Sequence, residues 1–134
     1  LELHKGELQA AGLQIVAIGL GEPKHAQRYC AKLSPSFQQN CLTDTSNTSH
    51  EAWGLKHLTF GSMMTPSFIK AGARSTLAGY FPETPTGDTF MMPGTFIIDR
   101  ERQVQFAFYS AHPGEHPEIS ALVSAASALK QTAR

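Results

Sequence analysis

The chain has 134 residues, 41% of them hydrophobic and 16% charged. That suits one globular domain with its own core and excludes a disordered or highly charged tail. Eleven Lys and Arg balance eleven Asp and Glu, so nothing draws in nucleic acid or an anionic membrane by long-range charge. No apolar run reaches the roughly eighteen residues of a membrane-spanning helix. Two cysteines make no disulfide framework, and with no secretory signal after Leu1 the expected setting is cytoplasmic.

Residues 1–11 read as a helix with Leu1, Leu8 and Ala11 on one face, stopped by Gly12 in a left-handed conformation. Residues 13–19 (Leu-Gln-Ile-Val-Ala-Ile-Gly) predict a strand covered on both faces, the habit of parallel sheets. Gly19, Gly21 and Pro23 turn the chain into a helix to about Leu33, with Ala26, Tyr29, Cys30 and Leu33 as its apolar stripe. Helix, buried strand, turn, helix is α/β grammar.

Ser34-Pro35-Ser36 ends that helix, residues 37–43 predict a short strand, and residues 44–47 are turn chemistry. Thr48 and Glu51 have the spacing of a capping box for a short helix through Trp53, closed by Gly54. Residues 55–61 fit a loop or a ragged strand. Thr65-Pro66 opens a helix with Ile69, Ala73, Leu77 and Tyr80 on one face, and residues 81–88 form a loop. Residues 95–99 and 103–109 flank Arg100-Glu101-Arg102 as a β-hairpin whose second strand turns Val104, Phe106 and Phe108 inward. A last helix begins at Pro117, with Ile119, Leu122, Val123, Ala126 and Leu129 as its stripe. Neither an internal repeat nor a composition break divides residues 1–134, which read as a single domain.

His112-Pro113-Gly114-Glu115-His116 matches the H-x-x-E-H pattern of inverted zinc peptidases. Pro113 and Gly114 oppose the helix that would bring both histidines to one metal, so the stretch reads as a loop entering the final helix. Gly19-Leu20-Gly21 lacks the third glycine of a dinucleotide fingerprint, because Lys24 stands in its place. It reads as a tight turn. Asn47-Thr48-Ser49 fits a glycosylation acceptor, and more simply a turn and cap. Cys30 lies on an apolar helix face and Cys41 in a short strand; neither belongs to a Cys-x-x-Cys pair or starts a helix beside cations. Both read as small buried hydrophobes, and a bridge between them requires Cα atoms within about 7 Å. No metal and no cofactor is expected.

Met92-Pro93-Gly94-Thr95-Phe96-Ile97-Ile98-Asp99-Arg100, followed by Val104-Gln105-Phe106-Ala107, resembles the proline-strand-hairpin of thioredoxin-like redoxins. With Gly87-Asp88 before it and His112 to His116 after it, the chain is similar to the AhpC/TSA antioxidant family of peroxiredoxin-like proteins. Residues 13–19 resemble the strand after the active-site helix, and Cys41-Leu42-Thr43-Asp44 the next strand and its turn. The resemblance implies an α/β fold: a thioredoxin-like sheet with flanking helices and a C-terminal β-hairpin plus helix, N-terminally incomplete. It implies a redox cysteine at the start of a helix, with Pro93 set against it and Thr95 as a neighbour. Such a proline can be cis, which would make Pro93→Ala costly.

Neither Cys30 nor Cys41 occupies the place of that redox cysteine, and Met92 stands where an arginine of ordinary peroxiredoxins is sought. By that resemblance the central strand and its cysteine motif are expected upstream of Leu1, so that either the sequence is a fragment or the lineage has lost the catalytic segment. The expectation is therefore a thiol-dependent redox domain, a thiol peroxidase or disulfide oxidoreductase by resemblance, that is catalytically silent through its own two cysteines. The alternative is a non-catalytic thioredoxin-like binding or scaffold module using the surface around Pro93. Implied partners are a thiol reductant such as a thioredoxin-like protein, and a second copy. Self-association follows if a strand is missing between residues 13–19 and 95–99, because both strands would then present open edges.

Overall fold

A computed structural model of the chain describes residues 2–30, 40–59, 61, 64–77, 90–112 and 115–132. After a 3-10 turn at Glu2–His4, helix α1 (Lys5–Ala10) carries Leu8 into the core, where it is 1% exposed. Gly12 stands at φ 88°, and the amides of Gly12 and Leu13 return to the carbonyls of Gln9 and Leu8. That is the paired closure which a left-handed glycine permits at a helix end.

Strand β1 (Ala17–Leu20) follows, then helix α2 (Pro23–Cys30) and strand β2 (Cys41–Asp44). β1 and β2 are parallel, in register from Ala17 opposite Cys41 to Leu20 opposite Asp44. Asn40 locks the start of the ladder: its Nδ2 donates to the Ile15 carbonyl at 3.0 Å, and its carbonyl accepts from Ala17 N at 2.9 Å. The expected strand over residues 13–19 is thus shorter and starts later. Leu13 and Ile15 leave it to pack against the core. Coverage on both faces is also corrected, because Val16, Ile18 and Leu42 are each about half exposed. The reason is geometric: the pair has α2 against β2, and its other face carries these three side chains into solvent. Residues 31–39, with Leu33 and the first part of the expected second strand, lie outside the described residues.

Helix α3 (Thr48–Ala52) is closed by Gly54 at φ 77°. Residues 55–59 are loop with one antiparallel bridge, His57 to Met91. Helix α4 (Pro66–Leu77) forms where Thr65-Pro66 predicts it, but its stripe is not a core face. Ile69 and Leu77 are exposed, as is Ala73, and no other described element packs closely on the helix. Tyr80 and the expected loop at 81–88 lie outside the described residues.

Strands β3 (Gly94–Ile98) and β4 (Val104–Tyr109) form the expected antiparallel hairpin, with an irregularity between Ile97 and Ile98. Its loop is tied by the Asp99 carboxylate, which accepts from Gln103 N at 2.8 Å and from Gln105 Nε2. The Gln103 amide first of all holds the Asp99 carboxyl below its usual range. Phe106 and Phe108 turn inward, whereas Val104, beside the hairpin loop, stays half exposed. Helix α5 (Ile119–Thr132) begins two residues later than expected, because the Glu118 carbonyl takes the amides of Ala121 and Leu122 as the capping position. Its stripe is as predicted. Leu122 packs with Leu8 and Ile97 at the core centre, ringed by Leu13, Ile15, Phe106, Ile119, Val123 and Leu129.

Among the described residues β1 pairs with β2 and β3 with β4, giving two separate two-stranded sheets. Among the described residues β1 and β3 therefore do not pair with each other. The Met92–Pro93 peptide is trans, so the cost of holding alanine in a cis bond does not arise. Leu8→Ala and Leu122→Ala are each expected to lower unfolding stability by about 2–5 kcal/mol, the range for emptying a buried leucine site. Ile69→Ser should be near neutral by the same denaturant titration, and a cost at Ile69 matching that at Leu8 would place α4 in the core.

Candidate functional site

β2 ends at Asp44, whose carboxylate is buried at 8% exposure. One oxygen accepts from the backbone amides of Ser49 at 2.8 Å and His50 at 3.2 Å, from Ser49 Oγ, and from His50 Nδ1 at 3.0 Å. The other accepts from the amide and hydroxyl of Ser46, both at 3.2 Å. The His50 side chain, then Ser49, holds this carboxyl far below the usual carboxylate range. Asp44 thereby satisfies the open amides at the start of α3. The expected Thr48–Glu51 capping box is corrected: the Thr48 hydroxyl meets Ser46 Oγ at 2.8 Å. An ionised acceptor bonding two helix amides and two side chains outcompetes a neutral hydroxyl.

So anchored, α3 delivers Trp53 to the hairpin. The indole centroid lies 4.8 Å from the Phe96 ring, and the Trp53 carbonyl accepts from Tyr109 Oη at 3.1 Å. Tyr109 in turn meets Phe96 edge-on at 5.4 Å. The chain leaving α3 then runs beside the start of β3, where Met92 N donates to the Lys56 carbonyl at 2.9 Å. Across the hairpin, Ser110 N donates to the Pro93 carbonyl at 3.1 Å.

Gly54, Leu55, Lys56, Met92, Pro93, Tyr109 and Ser110 line a partly open cavity of about 370 Å³. Its walls are mainly apolar. A Cβ on Gly94, beside it, would fall 2.6 Å from Leu55 Cδ2 and 3.0 Å from the Phe96 ring, so the end of the Leu55 side chain would have to move. The Ser110 hydroxyl is committed to the Glu115 carbonyl at 2.9 Å and the Tyr109 hydroxyl to Trp53, which leaves Lys56 as the charged group of the lining.

Of the sequence-predicted site residues, Pro93 lines this cavity. Thr95 sits half-buried on β3 opposite Phe108 and is not part of the lining. Cys30 and Cys41 are disulfide-bonded, with Cα atoms 6.4 Å apart, and neither lines the cavity. The bridge that the sequence left open is thus made: α2 and β2 bring the two backbones within bridging reach. His112 and His116 do not share a helix, since residues 111–112 and 115–118 are irregular, and Glu115 turns its carboxylate back to Ala111 N. Among the described residues no cluster of three His, Cys, Asp or Glu side chains is placed to hold a metal. Sequence reasoning missed Gly54, Leu55, Lys56, Met92, Tyr109 and Ser110 as lining residues. Their only local signal was the helix stop at Gly54.

Two outcomes follow from this geometry. A carboxyl held below its ordinary value of 3.8 stabilises the fold fully above that value and loses the contribution as pH falls beneath it. Acid titration of unfolding stability should therefore drop more steeply below about pH 4 in the wild type than in Asp44→Asn. Parallel profiles would remove Asp44 as the cap. Gly94→Ala should displace Leu55, shrink the cavity and cost about 1–3 kcal/mol in thermal unfolding, as overpacking does.

Comparison with protein-family models matches residues 1–112 to the AhpC/TSA antioxidant enzyme model, a span that contains the disulfide, the Asp44 cap, Pro93 and the whole hairpin. No curated protein and no solved structure matches the chain. The mixed α/β architecture, with its parallel βαβ unit and proline-led hairpin, agrees with a partial thioredoxin-like domain of that kind. Matched over most of its length and built accordingly, the chain belongs to the AhpC/TSA antioxidant enzyme family.

Proposed function

We propose that the chain is the body of a peroxiredoxin-like, thiol-dependent antioxidant domain, and that the cavity at Pro93 is where a reacting thiol meets its peroxide. The observation that carries this reading is the apolar cavity at the head of β3, bounded by Pro93, the end of β4 and the exit of α3. In the chemistry of thiol peroxidases a thiolate attacks one peroxide oxygen and the O–O bond breaks. The sulfur becomes a sulfenic acid, and the leaving oxygen departs as water or an alcohol after taking a proton. A thiol reductant such as a thioredoxin-like protein then restores the thiol. Pro93 contributes a wall without an amide donor, and Thr95 backs it from β3.

In this reading the catalytic cysteine segment is absent from these 134 residues. Its support is that both cysteines of the chain are joined to each other away from the cavity. A second reading, a non-catalytic binding or scaffold module, is favoured by a cavity lining that holds no thiol. Self-association belongs to either reading, because β1 and β3 each have a described neighbour on one side and an open strand edge recruits another strand. Among the described residues no helix is long and apolar enough to cross a membrane.

The chain alone should consume no hydrogen peroxide above background with a thioredoxin system, and Cys30→Ser and Cys41→Ser should change nothing. Turnover abolished by either substitution would make that cysteine the nucleophile and end this proposal. An NMR titration with an extended cysteine-containing peptide and its serine twin separates the two readings. Preferential shifts at Leu55, Met92 and Ser110 with the cysteine peptide favour the redox body, whereas equal shifts favour the scaffold.

A further inference from the structure

We propose that Cys30–Cys41 is a reversible thiol–disulfide exchange site that latches α2 onto the β1–β2 pair and is opened by a dithiol reductant. The inference stands on the packing of this unit and not on the reading of the Pro93 cavity. Along α2, Pro23, Lys24, Gln27 and Arg28 are exposed, and His25 and Ala26 are half-buried. Cys30, 6% exposed, is the buried side chain among those described on the helix. The polar contacts at its start are local, Lys24 pairing with Glu22 and Glu22 N donating to His25 Nδ1. An eight-residue helix is marginal in water unless packing holds it. Among the described side chains of α2 the buried one is Cys30, and its link to β2 is covalent.

The strands it joins need the same help. β1 and β2 have four residues each, and Ile18 and Leu42 lie beside each other in the register yet half exposed. An isolated two-stranded unit is at best marginally stable. No described side chain of β1, α2 or β2 belongs to the core around Leu8, Ile97 and Leu122. The bond therefore secures a segment that the core does not, and such a segment can open while the remainder stays folded.

The two residues differ in exposure: Cys30 is buried and Cys41 half-buried. An incoming thiolate of the dithiol attacks Cys41 Sγ, forms a mixed disulfide and expels Cys30 as a thiolate that takes up a proton. The second thiol of the reductant attacks the mixed disulfide and releases Cys41 as the thiol. Two electrons and two protons pass to the protein, and the dithiol leaves as its own disulfide. With Cys41 released, β2 loses its tether three residues before Asp44, the residue that caps α3.

The test is hydrogen exchange on the full chain, air-oxidised and after dithiothreitol, followed by removal of the reductant and reoxidation. Reduction is expected to accelerate exchange at least tenfold over β1, α2 and β2, leave α5 and the β3–β4 hairpin unchanged, and reverse on reoxidation. The double variant Cys30→Ser, Cys41→Ser should exchange fast in this unit with or without reductant. Unchanged exchange on full reduction would overturn the latch, as would acceleration throughout the chain. Two freely labelled thiols in the air-oxidised protein, or reduction only in denaturant, would overturn the exchange site itself. None of these readouts involves peroxide, so the outcome is independent of the function proposed for the cavity.

Discussion

The carboxylate of Asp44 is the joint on which the two halves of the domain hang. It terminates β2, lies nearly buried, and is tolerated there as an ion because six donor contacts surround it. α3 has five residues and no stability of its own, so its direction is set by where Asp44 holds its first amides. From that direction follows the placement of Trp53 on Phe96 and Tyr109. The walls contributed by Leu55 and Lys56 follow next. A parallel βαβ unit thereby reaches a hairpin with which, among the described residues, it shares no strand pairing.

The halves are held by different physics. On one side Leu8, Ile97 and Leu122 exclude water, with α1 and α5 closing over the hairpin. On the other, four-residue strands, a capped turn and a sulfur–sulfur bond do the work with little apolar burial. The candidate cavity lies where these meet: Gly54, Leu55 and Lys56 come from the chain leaving the Asp44 cap, and Met92, Pro93, Tyr109 and Ser110 from the hairpin side. Its shape consequently depends on the less well-packed half.

What was legible in the sequence was what local periodicity encodes. The Gly12 stop, the stripe of α5 and the hairpin around Arg100 to Arg102 each follow from spacing within one element, and each is present. The failures share a cause in long-range competition. Thr48 and Glu51 have the right spacing for a cap, but an ionised Asp44 four residues upstream of Thr48 takes the amides. The stripe of α4 has helical periodicity, yet periodicity does not say that another element will cover it. Residues 13–19 are apolar enough for a central strand, and the fold instead spends Leu13 and Ile15 on the α1–α5 core. Of the cavity, only Pro93 was found, through the resemblance of its strand. The opposing wall comes from residues about forty positions earlier, and nothing local marks them.

The backbone around Pro93 limits what this side of the cavity can contribute to chemistry. Pro93 has no amide hydrogen, its carbonyl is taken by Ser110 N, and the Met92 amide is taken by the Lys56 carbonyl. The amides of Gly54 and Leu55 return to Glu51 and His50, and the Tyr109 and Ser110 hydroxyls donate to carbonyls. These donors are already spent, so they form no ready-made cradle for an anionic sulfur or oxygen. Thiolate activation calls for helix amides or a cation close to the sulfur. Of the groups lining this wall, the Lys56 amine is the cation. The wall thus supplies an apolar shape, and under the proposed function the activation of the thiol falls to the segment that brings it.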